Sequence, residues 1–481
     1  MGNLPSQSKA IIWSAVERFS SQGIQFVLGI IIARLVAPSC YGLVAMLTIF
    51  ISIGQSLIDS GFANALIHKK DCTDKDYSTV FYFNLVVSAV LYLLFFICSP
   101  LIADFYGQPE LVVITRYSTF GFILNSLAIV QRAQFTTRMD FKRQSKATVS
   151  AVIVSGVVGV AMAYCGYGVW ALVFQGLINS LVNTISLWMM SSWRPSLVFS
   201  KESFKELYAF GSRLLFTGLL STVYINLYTL VIGKFFSSTQ LGFFNKMQNI
   251  AVFPSRNITS IMSRAVYPKQ CKLQDDNVAL HNNYMQLLSL SSFFIFPLMG
   301  GLAALAQPLV SCLLGGAWES AWPYLSILSI AYMFDHLQYF NWQMLAVKGR
   351  SDLSLKSEII KKIASIIILV GTIPFGVKVM AMGLVLYAII DLLIIIPFVH
   401  KVIPSITYGA ELKVLARPFV LTAIMCVAIV MFISLFSNHF VQLFGGFIIG
   451  GVCYLLVAYM MKMPELQYYP QIRNRPHKMT Q

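Results

Sequence analysis

Charge is what this chain has least of. Only 11% of its 481 residues are Asp, Glu, Lys or Arg, while 57% are hydrophobic and the mean hydropathy is +0.71. Soluble globular domains carry about 25% charged residues, so that class is excluded. The composition points to an all-α polytopic membrane protein, with nearly every residue inside or beside a bilayer. No connection between hydrophobic runs is long enough to hold a soluble domain. Paired cysteines are lacking as well. The eight cysteines (Cys40, Cys72, Cys98, Cys165, Cys271, Cys312, Cys426 and Cys453) are scattered singly, with no CxxC and no His/Cys ligand spacing. They read as packing thiols, not as a metal site or a disulfide framework. No Gly-rich phosphate loop is followed by Lys, so this chain does not hydrolyse ATP itself. Neither HExxH nor a Ser/His/Asp set occurs, and a membrane glycosyltransferase or polymerase would need a large extramembrane loop with catalytic carboxylates. No enzyme and no cofactor is therefore expected. A cleavable signal pattern is absent too: the first apolar run is too long and has no small-residue cleavage site. Met1-Gly2 with Ser6 matches a myristoylation motif only formally, and the sequon Asn257-Ile258-Thr259 falls in a predicted helix.

What is present is a succession of apolar stretches near the roughly 20 residues that a spanning helix needs. Fourteen are expected, near 11–35, 42–67, 78–98, 111–131, 145–164, 169–191, 206–233, 241–265, 281–310, 322–347, 355–375, 380–400, 417–436 and 441–461. The basic residues alternate across them. Lys69, Lys70 and Lys75 follow the second helix; Arg132, Arg138, Lys142, Arg143 and Lys146 follow the fourth. Arg194, Lys201 and Lys205 follow the sixth; Arg264, Lys269 and Lys272 follow the eighth; Lys348, Arg350, Lys356, Lys361 and Lys362 follow the tenth; Lys401 and Lys413 follow the twelfth. The odd-numbered connections hold almost none. Lys and Arg stay in cytoplasmic loops, so both termini are expected in the cytoplasm and the span count is even. This bias accounts for most of the net charge of +16 and leaves no role for nucleic acid.

An internal repeat is visible. Ala33-Arg34-Leu35 through Tyr41-Gly42-Leu43 aligns with Gly233-Lys234-Phe235 through Leu241-Gly242-Phe243 at an offset of 200 residues. Pro100-Leu101-Ile102 and Gly107 align with Pro308-Leu309-Val310 and Gly315 at an offset of 208. Six helices separate the copies, and an even number makes them parallel repeats. The expected lobes are helices one to six (1–200) and seven to twelve (201–402), with helices thirteen and fourteen and the tail (403–481) appended.

Polar residues recur at helical spacing inside otherwise apolar helices. The first helix has Ser14, Arg18, Ser21 and Gln25, with Glu17 beside Arg18; the second has Ser52, Gln55 and Asp59. The seventh has Arg213, Thr217, Ser221, Tyr224 and Tyr228; the eighth has Asn245, Gln248 or Asn249, Arg256 and Ser260, with a kink expected at Pro254. Arg116 opens the fourth helix, Tyr332, Asp335, His336, Tyr339 and Gln343 stripe the tenth, and Asp391 stands alone in the twelfth. An ionisable residue in a span costs about 2.5–3.5 kcal/mol at the bilayer centre and normally faces a bundle interior or a wet cavity. One reading is structural, with these groups as interhelical ion pairs and hydrogen bonds. The other is a polar cleft between the lobes. In that cleft Arg18, Arg116, Arg213 and Arg256 would bind an anionic substrate through bidentate guanidinium contacts. Glu17, Asp59, Asp335, His336 and Asp391 would line it or couple to an ion.

Several runs resemble the Wzx-type polysaccharide flippases. They are Ala33-Arg34-Leu35-Val36-Ala37-Pro38, Tyr41-Gly42-Leu43-Val44-Ala45-Met46, Asp59-Ser60-Gly61-Phe62-Ala63-Asn64-Ala65-Leu66-Ile67, Asp76-Tyr77-Ser78-Thr79-Val80-Phe81, Pro100-Leu101-Ile102-Ala103-Asp104-Phe105-Tyr106 and Gly166-Tyr167-Gly168-Val169-Trp170-Ala171-Leu172. The similarity is greatest to the colanic-acid or lipopolysaccharide exporter branch, and it covers about residues 8–400. The resemblance implies the multidrug/oligosaccharidyl-lipid/polysaccharide exporter fold: two six-helix lobes in a V around a central cleft, opening alternately to each side. It implies a lipid-linked oligosaccharide, carried on undecaprenyl pyrophosphate, as substrate. Membrane lipids and other polysaccharide-assembly membrane proteins would be its partners, the protein itself a monomer in the bacterial inner membrane. Of the charged residues, it implicates Glu17, Arg18, Asp59, Arg213 and Arg256. A cation-coupled drug exporter of the same fold would favour carboxylates over arginines. A glycan polymerase or ligase would alter chain length, and a passive scaffold would carry its polarity outside.

Overall fold

Backbone amides inside a bilayer have only one another as partners, so a spanning chain must close its hydrogen bonds locally. The computed structural model describes residues 6–59, 61–69 and 71–465; the side chains of residues 6–20, 64, 209–210, 212–214 and 216–217 lie outside that description. Among the described residues every regular element is helical. The chain forms two compact units, residues 1–242 and 243–481. The first holds α1 (Ser6–Leu35), α2 (Pro38–Asp59), α3 (Phe62–His68), α4 (Asp74–Tyr106), α5 (Leu111–Ser118), α6 (Gly121–Ser126), α7 (Ile129–Thr137), α8 (Phe141–Tyr164), α9 (Val169–Met190), α10 (Lys201–Ile225) and α11 (Leu227–Phe235). α12 (Ser238–Lys272) begins in the first unit and continues into the second. The second unit continues with α13 (Asn277–Ala304), α14 (Ala306–Leu314), a short 3₁₀ turn, α15 (Trp322–Met333), α16 (Asp335–Val347), α17 (Ser351–Thr372), α18 (Val377–His400), α19 (Tyr408–Leu435) and α20 (His439–Met460).

Eight described helices are long and apolar enough to cross a membrane, or ten if two bent pairs each count as one span. Fourteen spans are therefore not reached on length and composition: α1, counted only over Ser21–Leu35, α12, α17 and the paired α15 and α16 fall outside that set. Several runs expected to be continuous are broken. The fourth is split into α5, α6 and α7, with a bend of 41°, and the seventh bends by 43° between α10 and α11. At the bend of the fourth run side chains of α9 take carbonyls that a straight helix would use: Thr184 Oγ1 donates to Leu124 O at 2.8 Å and Trp188 Nε1 to Leu127 O at 2.8 Å. At the seventh, Asn226 Nδ2 shares the Thr222 carbonyl, at 2.9 Å, with the Asn226 backbone N–H. α12, by contrast, runs on helically through Pro254 and Pro268. Gly61 supplies the left-handed turn (φ 71°) between α2 and α3.

Each unit has its own core. In the first, α8 packs between α1 and α9 on a strip of small residues, Ala151, Ser155, Gly156, Gly159 and Ala163. A side chain at Gly156 would meet Leu28 Cδ1 at 2.0 Å, the close approach that small residues give membrane helices. In the second, α13 is the central helix: Tyr284, Leu288, Ile295, Phe296 and Met299 are fully buried, packed with residues from α16 and α18.

Both halves of the repeat are visible in the helix boundaries. α1 gives way to α2 between Leu35 and Pro38, and α11 to α12 between Phe235 and Ser238. α4 ends at Tyr106 before Gly107 (φ 64°), and α14 at Leu314 before Gly315 (φ 86°). The equivalent glycines make a reciprocal contact. A Cβ at Gly42 would lie 1.8 Å from the carbonyl oxygen of Ser238, and one at Gly242 would lie 2.0 Å from that of Pro38. The first turns of α2 and α12 thus cross backbone against backbone. Gly42→Ala and Gly242→Ala should each destabilise the protein by about 1–3 kcal/mol through overpacking. Gly176→Ala, where the added methyl meets nothing within 4 Å, should not. Thermal unfolding of the three purified variants checks this.

Candidate functional site

α12 is 35 residues long, ample to span a bilayer, yet it is not among the apolar helices. Its two faces differ. Phe244, Met247, Ala251, Ser255, Thr259 and Ser263 follow one another at steps of three and four and are all buried. The opposite face exposes Asn249, Phe253, Arg256 and Arg264. The helix contains no Asp or Glu and five basic residues: Lys246, Arg256, Arg264, Lys269 and Lys272.

α15 and α16 lie beside it. Gln248 Nε2 donates to Tyr332 Oη at 2.7 Å; Arg256 Nε lies 4.0 Å from Asp335 Oδ2. Ser263 Oγ donates to Gln343 Oε1 at 2.6 Å and lies 3.4 Å from Tyr339 Oη. Gln343 Nε2 donates to Gln270 Oε1 at 2.5 Å. The residue numbers rise together, so the helices run parallel. The Arg256 side chain is 63% exposed and only grazes Asp335; such a pair is worth about 1 kcal/mol at most, and the guanidinium stays available to an external anion. Tyr339 and Trp342 are exposed on α16, with ring centroids 6.3 Å apart. Guanidinium, carboxylate, amide and aromatic faces together can bind a charged, hydroxyl-rich molecule.

The other candidates are placed differently. His336 is wholly buried, its Nε2 2.9 Å from Ser292 Oγ, its Nδ1 3.0 Å from Met333 O, and its ring against Phe296 and Phe340. It belongs to the core of the second unit and not to a wet surface. Asp391 is not alone: Lys361 Nζ lies 3.2 Å from its Oδ1 and 2.5 Å from Glu358 Oε1. Lys361 is therefore a buried helical residue of α17, not a loop cation, because the helix starts at Ser351 and carries it inward. In the first unit Asp59 Oδ1 accepts from Gln55 Nε2 at 3.3 Å, and Asn125 Nδ2 donates to Gln55 Oε1 at 3.4 Å. Arg132 acts electrostatically on Asp59; it too belongs to a helix, α7, and not to the following loop. Arg116 faces an apolar groove within the first unit and meets no carboxylate among the described residues. Glu17, Arg18 and Arg213 lie outside the described side chains.

Glu411 was not signalled by any stripe. It is buried at the start of α19, accepting from Tyr284 Oη at 2.7 Å and from Asn341 Nδ2 at 3.0 Å. The sequence hint is its place four residues after Thr407, the residue whose side chain caps α19. Lys361 had a hint as well: Glu358 and Lys361 share a helix face at i, i+3. Removing one partner from a buried ion pair costs about 3–5 kcal/mol, because the other charge is left stranded. Lys361→Met should accordingly lower the unfolding temperature sharply. Adding Asp391→Leu should recover most of the loss, as a thermal double-mutant cycle would show.

Comparison with known proteins agrees with this architecture. Residues 31–323 match the family described as polysaccharide biosynthesis protein. The chain is 25% identical over 434 residues to the teichuronic acid biosynthesis protein TuaB of Bacillus subtilis (strain 168), covering 88% of this chain and 87% of that one. It is 25% identical over 413 residues to the lipopolysaccharide biosynthesis protein WzxC of Escherichia coli (strain K12), covering 85% and 84%. Among solved structures, the lipid II flippase MurJ in an inward closed conformation shares the fold with a TM-score of 0.74 at 17% identity, over 94% of this chain and 98% of that one. With more than half its length matched, the chain belongs to the polysaccharide biosynthesis protein family of multi-pass membrane proteins.

Proposed function

We propose that the protein is a flippase, not an enzyme. It moves a polyprenyl-pyrophosphate-linked oligosaccharide from the cytoplasmic to the periplasmic leaflet of the bacterial inner membrane by alternating access, for export of a cell-surface polysaccharide. The observation that carries this reading is α12: a membrane-length helix too polar to count among the apolar spans, with one face buried and Asn249, Arg256 and Arg264 exposed on the other beside Phe253 and Ile261. A helix of this kind needs water along one side. The absence of acidic residues on it favours an anionic cargo over the cationic drugs of a same-fold exporter. Tyr339 and Trp342 beside it offer ring faces to sugars. The names of TuaB and WzxC, and the fold shared with a lipid II flippase, support the same class of cargo.

The energetics fit. A glycan pulled through hydrocarbon leaves its hydroxyls unpaired at several kcal/mol each, whereas a hydrated path removes that penalty. Two pyrophosphate charges moving outward run with a negative-inside potential, worth about 2.3 kcal/mol per charge per 100 mV. The polyprenyl tail stays in lipid throughout. The sequence repeat sets the functional halves in this reading: residues 1–200 and 201–402, with 403–481 appended. The basic connections support a cytoplasmic position for both termini.

The test is leaflet exchange of a fluorescent lipid-linked oligosaccharide in vesicles containing the purified protein. The protein should accelerate exchange over empty vesicles, and Arg256→Gln should slow it about tenfold without loss of folded protein, the size expected for one charge-assisted contact. No acceleration by the folded protein overturns the proposal; an unchanged rate in Arg256→Gln removes α12 from it.

A further inference from the structure

The first unit holds a second cationic feature, distant in sequence from α12. A groove of about 730 Å³ runs between α4, α5 and α9, a volume within the range of small-ligand clefts. Its walls are aromatic and aliphatic, among them Tyr92, Phe120, Phe174, Leu177 and Leu181, and among the described residues Arg116 is the one charged residue lining it. The guanidinium is held in place: its carbon sits 4.3 Å from the centre of the Phe96 ring, and Nε lies 3.0 Å from Ser99 Oγ and 3.4 Å from Phe96 O. These contacts use only Nε. The two terminal nitrogens have no acceptor among the described residues, and no carboxylate pairs with Arg116. An arginine in apolar surroundings with four N–H bonds unanswered is stable only if something outside the fold answers them.

The walls narrow the choice. α4 and α9, which line the groove, are both long and apolar enough to cross a membrane, and lipid is what such helices meet. A phosphodiester can take two parallel bonds from a guanidinium, while the apolar groove beside it suits a single hydrocarbon chain. A phenyl ring under the guanidinium and a serine on Nε fix the fork in one orientation, as a site for a planar, bidentate partner requires.

We propose that this groove binds a bilayer phospholipid with an anionic headgroup, its phosphate on the terminal nitrogens of Arg116 and one acyl chain along Phe174, Leu177 and Leu181. The site is separate from the transport reading, and its occupancy is measured without transport. The test is native mass spectrometry of the full-length protein after detergent exchange into phosphatidylglycerol or phosphatidylcholine. The wild type should retain phosphatidylglycerol at least tenfold over phosphatidylcholine. Arg116→Gln should abolish that preference and Arg116→Lys should keep part of it. Leu181→Trp, which fills the groove and leaves the arginine, should reduce retention of both lipids at least tenfold. Equal retention of the two lipids by the wild type overturns the proposal, as does unchanged preference in Arg116→Gln or unchanged retention in Leu181→Trp. Displacement of phosphatidylglycerol by an equimolar polyprenyl phosphate also overturns it, because the groove would then serve the lipid carrier. If Arg116→Gln fails to fold, Arg116→Lys and Leu181→Trp decide between these outcomes.

Discussion

The cost of placing a polar side chain in hydrocarbon is the constraint around which this protein is built. A membrane chain can meet that cost by pairing its charges inside the bundle, or by giving them water. The first solution occurs in the second unit, and the proposed function adds the second in the same unit. Lys361, Asp391 and Glu358 answer one another across α17 and α18. Arg256 does not: its nearest carboxylate stands at the limit of ion contact and its side chain is mostly exposed. Charges paired at short range in dry surroundings hold helices together, while in the proposed function a charge left half-answered on an exposed face is the one that receives the cargo.

The same economy governs the backbone. Helices with large side chains cannot approach closely, so the chain places Gly42 and Gly242 where α2 and α12 cross, each against the carbonyl of the other helix's first turn. The reciprocity follows from the 200-residue repeat, since equivalent positions of a duplicated unit meet equivalent partners. The breaks in the fourth and seventh runs have a different origin. In the fourth, Thr184 and Trp188 of α9 occupy the carbonyls at the break, and in the seventh Asn226 shares one with its own backbone amide, giving bends without proline.

Much of this was legible in the sequence. The scarcity of charge announced the membrane, the duplicated turn and the Pro-to-Gly exit marked helix ends that the structure places at the same offsets, and the stripe on α12 showed its polar face. Partnerships were not legible. Arg132 and Lys361 looked like loop cations because each stands near a basic cluster, and one helical turn decides whether such a residue faces solvent or a carboxylate on another helix. His336 looked like a coupling group because histidine titrates near neutrality, but its surroundings are rings and a serine. Arg116 read as one more cleft cation, yet the side chains around it come from helices far apart in sequence and are apolar. Periodicity reports which residues share a face; what that face meets depends on long-range packing.

The central claim is that one side of α12 stands in water within the membrane. It is tested most directly by single cysteines at Asn249, Arg256 and Ser260, with Met247 and Ala251 as buried controls, in a protein whose own eight cysteines are replaced. A membrane-impermeant thiol reagent should label the first three positions in intact vesicles and spare the two controls. Failure to label Arg256 and its neighbours from either side, with the protein folded, would put that face against lipid or dry protein and contradict the account.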